Sequence, residues 1–209
     1  MKTLFIPAKS DIEIKLPKNV LEKLPEKIGL VTTIQHLHKL NDVKRQFKKA
    51  HIGGQILGCD TGLAEKISNK VDAFLYIGTG KFHPMEVYRK TKKNVFIYNP
   101  ISKTLSKVDK KEIERMEKRK KGALLKFLSA KEIGVLVSTK SGQRNMKAVE
   151  ILKKKYKEKN FYIFLFNTLD FNELENFNFV EVWVNTACPR IIDDWEKFNM
   201  PVTNFDELL

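Results

Sequence analysis

The sequence is poor in cysteine and has no long apolar run, and each shortage excludes something. No stretch approaches the roughly 18 apolar residues that would cross a bilayer, and the apolar part of the opening MKTLFIPAKSDIEIK is too short for a secretory core. A cytoplasmic protein without a membrane partner is expected. Only two cysteines occur, Cys59 and Cys188, far apart and in no CxxC pair. A disulfide framework is therefore a poor explanation in a reducing compartment, while a ligand or redox role stays open. RNP-like aromatics, zinc-finger spacing and a G-x-G-x-x-G fingerprint are also missing.

What is present is the composition of a folded protein. With 42% hydrophobic and 31% charged residues, 209 residues can bury a core and still cover it, as one large domain or two small ones. The formal charge of +14 leaves nucleic-acid binding open. The excess lysine, however, is spread over segments such as KRQFKK, KKEIERMEKRKK and KKKYKEK, which read more simply as solvated helix faces.

Short runs of Val, Ile and Phe alternate with helix-periodic polar stretches, the pattern of a parallel α/β protein. Strands are expected at Thr3–Pro7, Lys27–Thr32, Ala73–Gly78, Asn94–Asn99, Glu132–Ser138, Phe161–Phe166 and Val180–Asn185. Helices are expected at Gln35–Lys49, Thr61–Asn69, Pro84–Thr91, Lys110–Leu128, Gly142–Glu158 and Pro189–Lys197. The stretches KIGLVTT from Lys27 and EIGVLVST from Glu132 follow the same pattern. Each half later ends a strand in a small-residue turn, IGTGKFHP from Ile77 and VNTACPR from Val184. The expected fold class is thus α/β, with two similar parallel-sheet domains from an internal duplication.

Cys188 directly follows an apolar strand and precedes Pro189, where a first helical residue would stand. That places its sulfur at the carboxyl end of a strand, the edge where open α/β sheets bind ligands and where a helix N-terminus stabilises a thiolate. Cys59 repeats the arrangement in GGQILGCDTGLAEKI, with Asp60 or Thr61 able to cap a helix. By residue type alone, a cysteine in an α/β protein is more often a small buried hydrophobe than a ligand. The Gly78-Thr79-Gly80 turn, followed by His83, could bring backbone N–H groups to an anion, or could simply be a tight strand-to-helix turn. Ser138, Thr139, Lys140, Gly142 and Gln143 form a polar cradle after another strand, equally readable as a helix cap with a basic first turn. His36 and His38, two apart, point to different faces and make a poor metal pair, and Asp193 and Asp194 look like surface or capping carboxylates.

Five stretches, IGLVTTIQHLHKL, GGQILGCD, YIGTGKFHP, GVLVSTKSGQR and VNTACPRIIDD, resemble in order the 2-(3-amino-3-carboxypropyl)histidine synthases of diphthamide biosynthesis, especially the archaeal form. The resemblance implies three similar α/β domains, each giving one cysteine to a single [4Fe-4S] cluster. Cys59 matches the ligand of the middle domain and Cys188 that of the last. It further implies that the cluster engages S-adenosyl-L-methionine and cleaves it to a 3-amino-3-carboxypropyl radical. That radical would add to a histidine of translation elongation factor 2. Gly78, Thr79, Gly80, His83, Ser138, Thr139, Lys140, Gly142 and Gln143 would then be cofactor-binding, contacting the amino-acid end of S-adenosylmethionine.

This chain departs from the pattern at its start. Residues 1–24 look like the tail of a first domain, and the cysteine of that domain has no counterpart here. The expected organisation is that remnant, a middle domain over 25–108, a connecting helix over 109–128 and a last domain over 129–209. The expected function is the C-terminal half of a split transferase, with a separate first-domain chain supplying the third thiolate in a dimeric assembly. The alternatives are an accessory subunit paired with a full-length homologous subunit, and a basic RNA- or ribosome-binding protein.

Overall fold

Runs of Ile, Val, Leu and Phe set between charged segments become the strands of two sheets. The computed structural model describes residue 4, residues 6–57 and residues 60–209, in two units, Met1–Ile113 and Glu114–Leu209.

The first unit contains β1 (Lys27–Thr32), β2 (Lys49–Gln55), β3 (Ala73–Ile77), β4 (Asn94–Asn99) and β5 (Thr104–Lys107), in the order β2-β1-β3-β4-β5. All neighbours are parallel except β4 and β5. All five residues of β3 are buried, as expected of a central parallel strand covered on both faces. Helices α1 (Lys18–Leu21), α2 (Leu40–Lys44), α3 (Gly62–Ile67) and α4 (Phe82–Thr91) complete the unit. Leu30, Leu75 and Ile77 of the sheet pack with Leu40 and Val43 of α2. Each such burial contributes about 1.5–3 kcal/mol. Ile14, Leu16 and Val20 join the same core. Gln46 fixes the segment that precedes α1, its Oε1 accepting from Leu16 N at 2.9 Å and its Nε2 donating to Ile14 O at 2.9 Å.

The division between units falls within α5 (Lys110–Ser129). The second unit holds β6 (Glu132–Ser138), β7 (Asn160–Phe166), β8 (Val182–Asn185) and β9 (Val202–Asn204), all parallel in the order β7-β6-β8-β9, with α6 (Met146–Lys155). Alternate residues serve opposite faces, because the side-chain period of a strand is two. Ile133, Val135 and Val137 pack with Phe127 of α5 and Val149 and Leu152 of α6. Leu136 and Trp183 pack on the other side with Leu174 and Val180. Gly134 faces Trp183 across the β6–β8 ladder, and a Cβ there would collide with the indole ring. Lys159, almost fully buried, donates from Nζ to Leu128 O at 3.0 Å and Ala130 O at 2.6 Å. It thereby satisfies carbonyls at the end of α5 that no intrahelical donor reaches.

Several boundaries differ from expectation for identifiable reasons. The helix expected over Gln35–Lys49 is a 3-10 run, Ile34–Lys39, followed by the short α2, and the chain then enters β2. The KAHIGGQ sequence of β2 hides a strand behind two glycines and two cationic or imidazole residues. The helix expected from Gly142 begins at Met146, because Gly142 has φ +80° and the Asn145 Oδ1 accepts from Ala148 N at 3.1 Å as the true cap. Pro189–Lys197 is a 3-10 run broken at Asp194 (φ −83°, ψ 28°) rather than a helix. Strands β5 and β9 are four and three residues long, too short to leave a pattern. Of the strand expected at Thr3–Pro7, Thr3 and Phe5 lie outside the described residues. Leu4, Ile6 and Pro7 belong to no strand, and Leu4 and Ile6 are exposed.

Candidate functional site

The carboxyl edge of the second sheet carries the better-defined polar cluster. Strand β8 ends at Asn185, a buried amide in an otherwise apolar strand. A buried amide must find partners, and here they lie in the loop that bears Cys188. Asn185 Oδ1 accepts from Ala187 N at 3.1 Å, and its Nδ2 donates to Cys188 O at 2.9 Å and to Asn204 Oδ1 at 2.7 Å. Asn204, the last residue of β9, donates in turn to Pro189 O at 3.3 Å. Thr186 Oγ1 ties the same loop to Leu136 O of β6 at 2.8 Å. The Cys188 thiol is free of disulfide bonding and half-buried, on a backbone held from both sides.

Cys188 stands in extended conformation (φ −60°, ψ 124°) before Pro189, and its carbonyl also accepts from Ile191 N at 3.0 Å. Because the following segment is a broken 3-10 run, the dipole of a long helix does not act on the sulfur. Arg190 and Asp193 approach to 3.8 Å, and Lys197 pairs with Asp194 at 3.2 Å, so both carboxylates serve local surface pairs.

On the adjacent strand, β6 delivers the turn 138–144 to the same edge. Ser138 is fully buried and its Oγ accepts from Lys140 N at 3.2 Å. Thr139 donates from both N and Oγ1 to Phe166 O, at 2.8 and 3.2 Å. Lys140, Gly142 and Gln143 are exposed, with Gln143 N closing a turn onto Lys140 O at 3.1 Å. The left-handed Gly142 leaves open space where a side chain would stand. The turn is therefore a loop with exposed cationic and amide residues, not the first turn of a helix.

In the first unit, Gly78-Thr79-Gly80 follows β3, with φ +151° at Gly78 and +80° at Gly80. A Cβ on Gly78 would approach the Tyr76 hydroxyl to 2.9 Å, so the turn closes over a buried tyrosine. Burial raises the Tyr76 pKa, opposed by a hydrogen bond with Thr33. His83, in the first turn of α4, stacks on Tyr76 with ring centroids 5.9 Å apart and planes within 8°. Thr79 and Gly80 are exposed.

Cys59 lies outside the described residues. Leu57 and Asp60, which flank its position in the sequence, exchange backbone hydrogen bonds of 3.3 and 2.9 Å. Asp60 Oδ1 accepts from Gly62 N at 3.0 Å, and Thr61 rather than Asp60 precedes α3. His36 is buried, with Nδ1 unpartnered among the described residues. Burial lowers its pKa, with a smaller push from His38. Among the described residues no three His, Cys, Asp or Glu side chains converge to hold a metal ion. A cavity of about 390 Å³ in the second unit, lined by Met116, Arg119, Trp195, Phe198 and Met200, sits beside the amino end of β9 rather than at this edge.

Sequence reasoning missed Asn185 and Asn204, the residues that hold the Cys188 loop. The available signal was an amide ending an apolar strand, but its partner lies 19 positions on, in a strand too short to recognise.

A sequence profile of the diphthamide synthesis protein family matches residues 1–209. The chain is 32% identical to a 2-(3-amino-3-carboxypropyl)histidine synthase from Pyrococcus horikoshii, over 96% of this chain and 62% of that protein. It is 34% identical to the synthase from Methanocaldococcus jannaschii, over 99% and 61% respectively. The human synthase subunit 1 is 30% identical over 80% of this chain and 40% of its own length. The chain thus spans about three fifths of the two archaeal relatives. The crystal structure of Dph2 from Pyrococcus horikoshii with a 4Fe-4S cluster superposes with a TM-score of 0.74 at 30% identity, covering 90% of this chain and 58% of that one.

Proposed function

This chain belongs to the diphthamide synthesis family, and on that premise we propose that it is part of a 2-(3-amino-3-carboxypropyl)histidine synthase. It would transfer the 3-amino-3-carboxypropyl group of S-adenosylmethionine to a histidine of translation elongation factor 2, in a reducing, cytoplasmic setting. The single observation that carries this reading is the rigid presentation of Cys188, a free thiol on a loop pinned by Asn185, Asn204 and Thr186 at the carboxyl edge of a parallel sheet. Its likeness to a structure that holds a 4Fe-4S cluster gives that thiol a chemical purpose.

The donor set fits an iron–sulfur cluster in part. Thiolates are its natural ligands, and Cys188 with Cys59 supplies two. The third thiolate would come from polypeptide outside these 209 residues. When bound, the cluster supplies the electron that breaks the sulfur–carbon bond of S-adenosylmethionine. The residues of this chain hold and orient. Asn185 and Asn204 keep the Cys188 backbone in place. Lys140 and Gln143 would offer exposed donors to the methionyl carboxylate, and the exposed Thr79-Gly80 turn a second polar rim.

A duplicated α/β unit underlies the proposal. In its support, the strand order β2-β1-β3-β4 recurs as β7-β6-β8-β9. The register pairs Gly29 with Phe74 in one sheet and Gly134 with Trp183 in the other, each glycine beneath an aromatic ring.

The test is anaerobic reconstitution with iron and sulfide, with and without a co-expressed first-domain chain, read as iron content, visible absorbance and S-adenosylmethionine cleavage. A brown, active complex lost in Cys188→Ala and in Cys59→Ala is expected. Iron binding that is absent from both preparations, or indifferent to both substitutions, would overturn the assignment and favour an accessory or RNA-binding role.

A further inference from the structure

We propose that the cavity between α5 and the run Pro189–Lys197 is a binding site for a small molecule with an apolar body and a single carboxylate. The cavity measures about 390 Å³ and is lined wholly by residues of the second unit. That volume falls inside the roughly 300–1,000 Å³ range of small-molecule sites. Its walls come from one face of α5, from the run Pro189–Lys197 and from residues 198–202 at the start of β9. On α5, Met116, Arg119, Lys120 and Ala123 recur at three- and four-residue spacing and so share a helix face. Ile192, Trp195, Phe198 and Met200 line the rest. Aromatic rings and methionine thioethers suit an apolar body, and the methionines adapt to its shape.

The polar groups of the wall select the charge. Lys120 is neutralised by Glu207 at 2.7 Å. Asn199 is already committed, its Oδ1 accepting from Trp183 Nε1 at 3.1 Å and its Nδ2 donating to Leu174 O at 3.2 Å. Arg119 stacks on Trp195, with its guanidinium carbon 3.4 Å from the ring centroid, and among the described residues it has no carboxylate partner. Stacking holds the guanidinium in place and leaves its N–H fork for an anion, and a carboxylate matches that fork with two parallel hydrogen bonds. Asp193 and Glu196 also border the cavity. They would repel a second negative charge, so a monocarboxylate fits better than a phosphate dianion. A hydroxyl-rich ligand such as a sugar would find few partners to replace its water.

Gly122 points the same way independently. Glycine inside a 20-residue helix weakens it relative to alanine. No packing demands glycine here, since an added Cβ would meet nothing within 4 Å. Gly122 instead borders the cavity one turn from Arg119, where a larger side chain would take up the ligand's space. The bare position keeps the cavity open at a cost to the helix. None of this depends on the cluster or on the loops at the carboxyl edge of the sheet.

Isothermal titration calorimetry of the full chain tests it, with 4-phenylbutyrate as the probe and 4-phenylbutylamine as the same apolar body with the opposite charge. The carboxylate is expected to saturate one site per chain, and the amine to bind at least about tenfold more weakly. Arg119→Gln should raise the dissociation constant of the carboxylate roughly ten- to a hundredfold, through loss of a charge-assisted pair of hydrogen bonds. Gly122→Leu should abolish binding yet melt no lower than the native chain, because leucine is the better helix former and nothing opposes its first carbon. No saturation by about 5 mM, equal affinity for the amine, native affinity in either variant, or a lowered melting temperature in Gly122→Leu would each overturn the proposal. If Arg119→Gln fails to fold, the amine and Gly122→Leu decide it. Iron uptake is measured separately, so failure here leaves the cluster assignment standing.

Discussion

Replacing Gly134 with alanine adds one carbon at the most crowded point of the second sheet. That carbon would lie within the van der Waals envelope of Cζ3 and Cε3 of Trp183 and 2.9 Å from Val180 Cγ1, where ordinary carbon contacts are about 3.5–4.0 Å. The indole would have to retreat by about 1 Å to restore such a contact. It has nowhere to go, being fully buried, bonded from Nε1 to Asn199 Oδ1 at 3.1 Å and packed against the Phe164 ring at a centroid distance of 4.9 Å. Overpacking costs about 1–3 kcal/mol and the strained indole hydrogen bond about 1 kcal/mol. Alanine recovers about 0.5–1 kcal/mol of chain entropy in a strand. The net loss is about 2–3 kcal/mol, which for a unit of this size lowers its melting temperature by roughly 10–20 °C. Thermal melts followed by tryptophan fluorescence and circular dichroism report it. Trp183→Phe in the Gly134→Ala background should lose less than the sum of the single effects, because the smaller ring makes room. A Gly134→Ala protein melting within about 2 °C of the native one, or strict additivity in the double variant, would refute the packing argument.

Three further outcomes follow from named contacts. Lys159→Met should destabilise the second unit by about 2 kcal/mol in denaturant titration, because the Leu128 and Ala130 carbonyls lose their donor; an unchanged midpoint would show that water replaces it. The Glu181 carboxyl is held down to about 2 by the backbone N–H groups of Glu132 and Lys131, helped by Lys126. Its folded value is below its unfolded one, so its contribution is complete above the ordinary carboxylate range and lost as pH falls from 4.5 toward 2. Glu181→Gln should therefore flatten the acid-side fall of the melting temperature in that window, and an unaltered profile would count against the assignment. Asn185→Ala should lower iron retention in the reconstituted protein by roughly 10–100-fold while Cys188 remains, as expected for a group that orients a ligand; wild-type retention would make Asn185 purely structural.

Much of the fold was legible because parallel strands buried on both faces are nearly pure apolar runs. The bounds of β1, β4 and β6 were read directly as IGLVT, VFIY and IGVLVS flanked by polar residues. Strand β2 was not legible, because its glycines and His51 carry no apolar alternation and its identity comes from lying beside β1. The start of α6 was misplaced because Gly142 and Asn145 are both plausible helix-start residues. The backbone decided between them by putting Gly142 in the left-handed region. Within the candidate site, the turn residues and Cys188 were visible as motifs, since small and polar residues after a strand are a local signal. The amides that position Cys188 were not, because a hydrogen bond between strand ends depends on which strands are neighbours.

The sequence by itself determined the α/β class, the strand runs, the two cysteines and the family motifs. All of these are properties of contiguous residues. Only the tertiary structure decided that Asn185 meets Asn204, that Gly134 lies beneath Trp183, and that β7 is left as an uncharged edge. Those facts depend on strand order and register, which arise when distant segments compete for the same buried surface, and no local stretch of the chain encodes them alone.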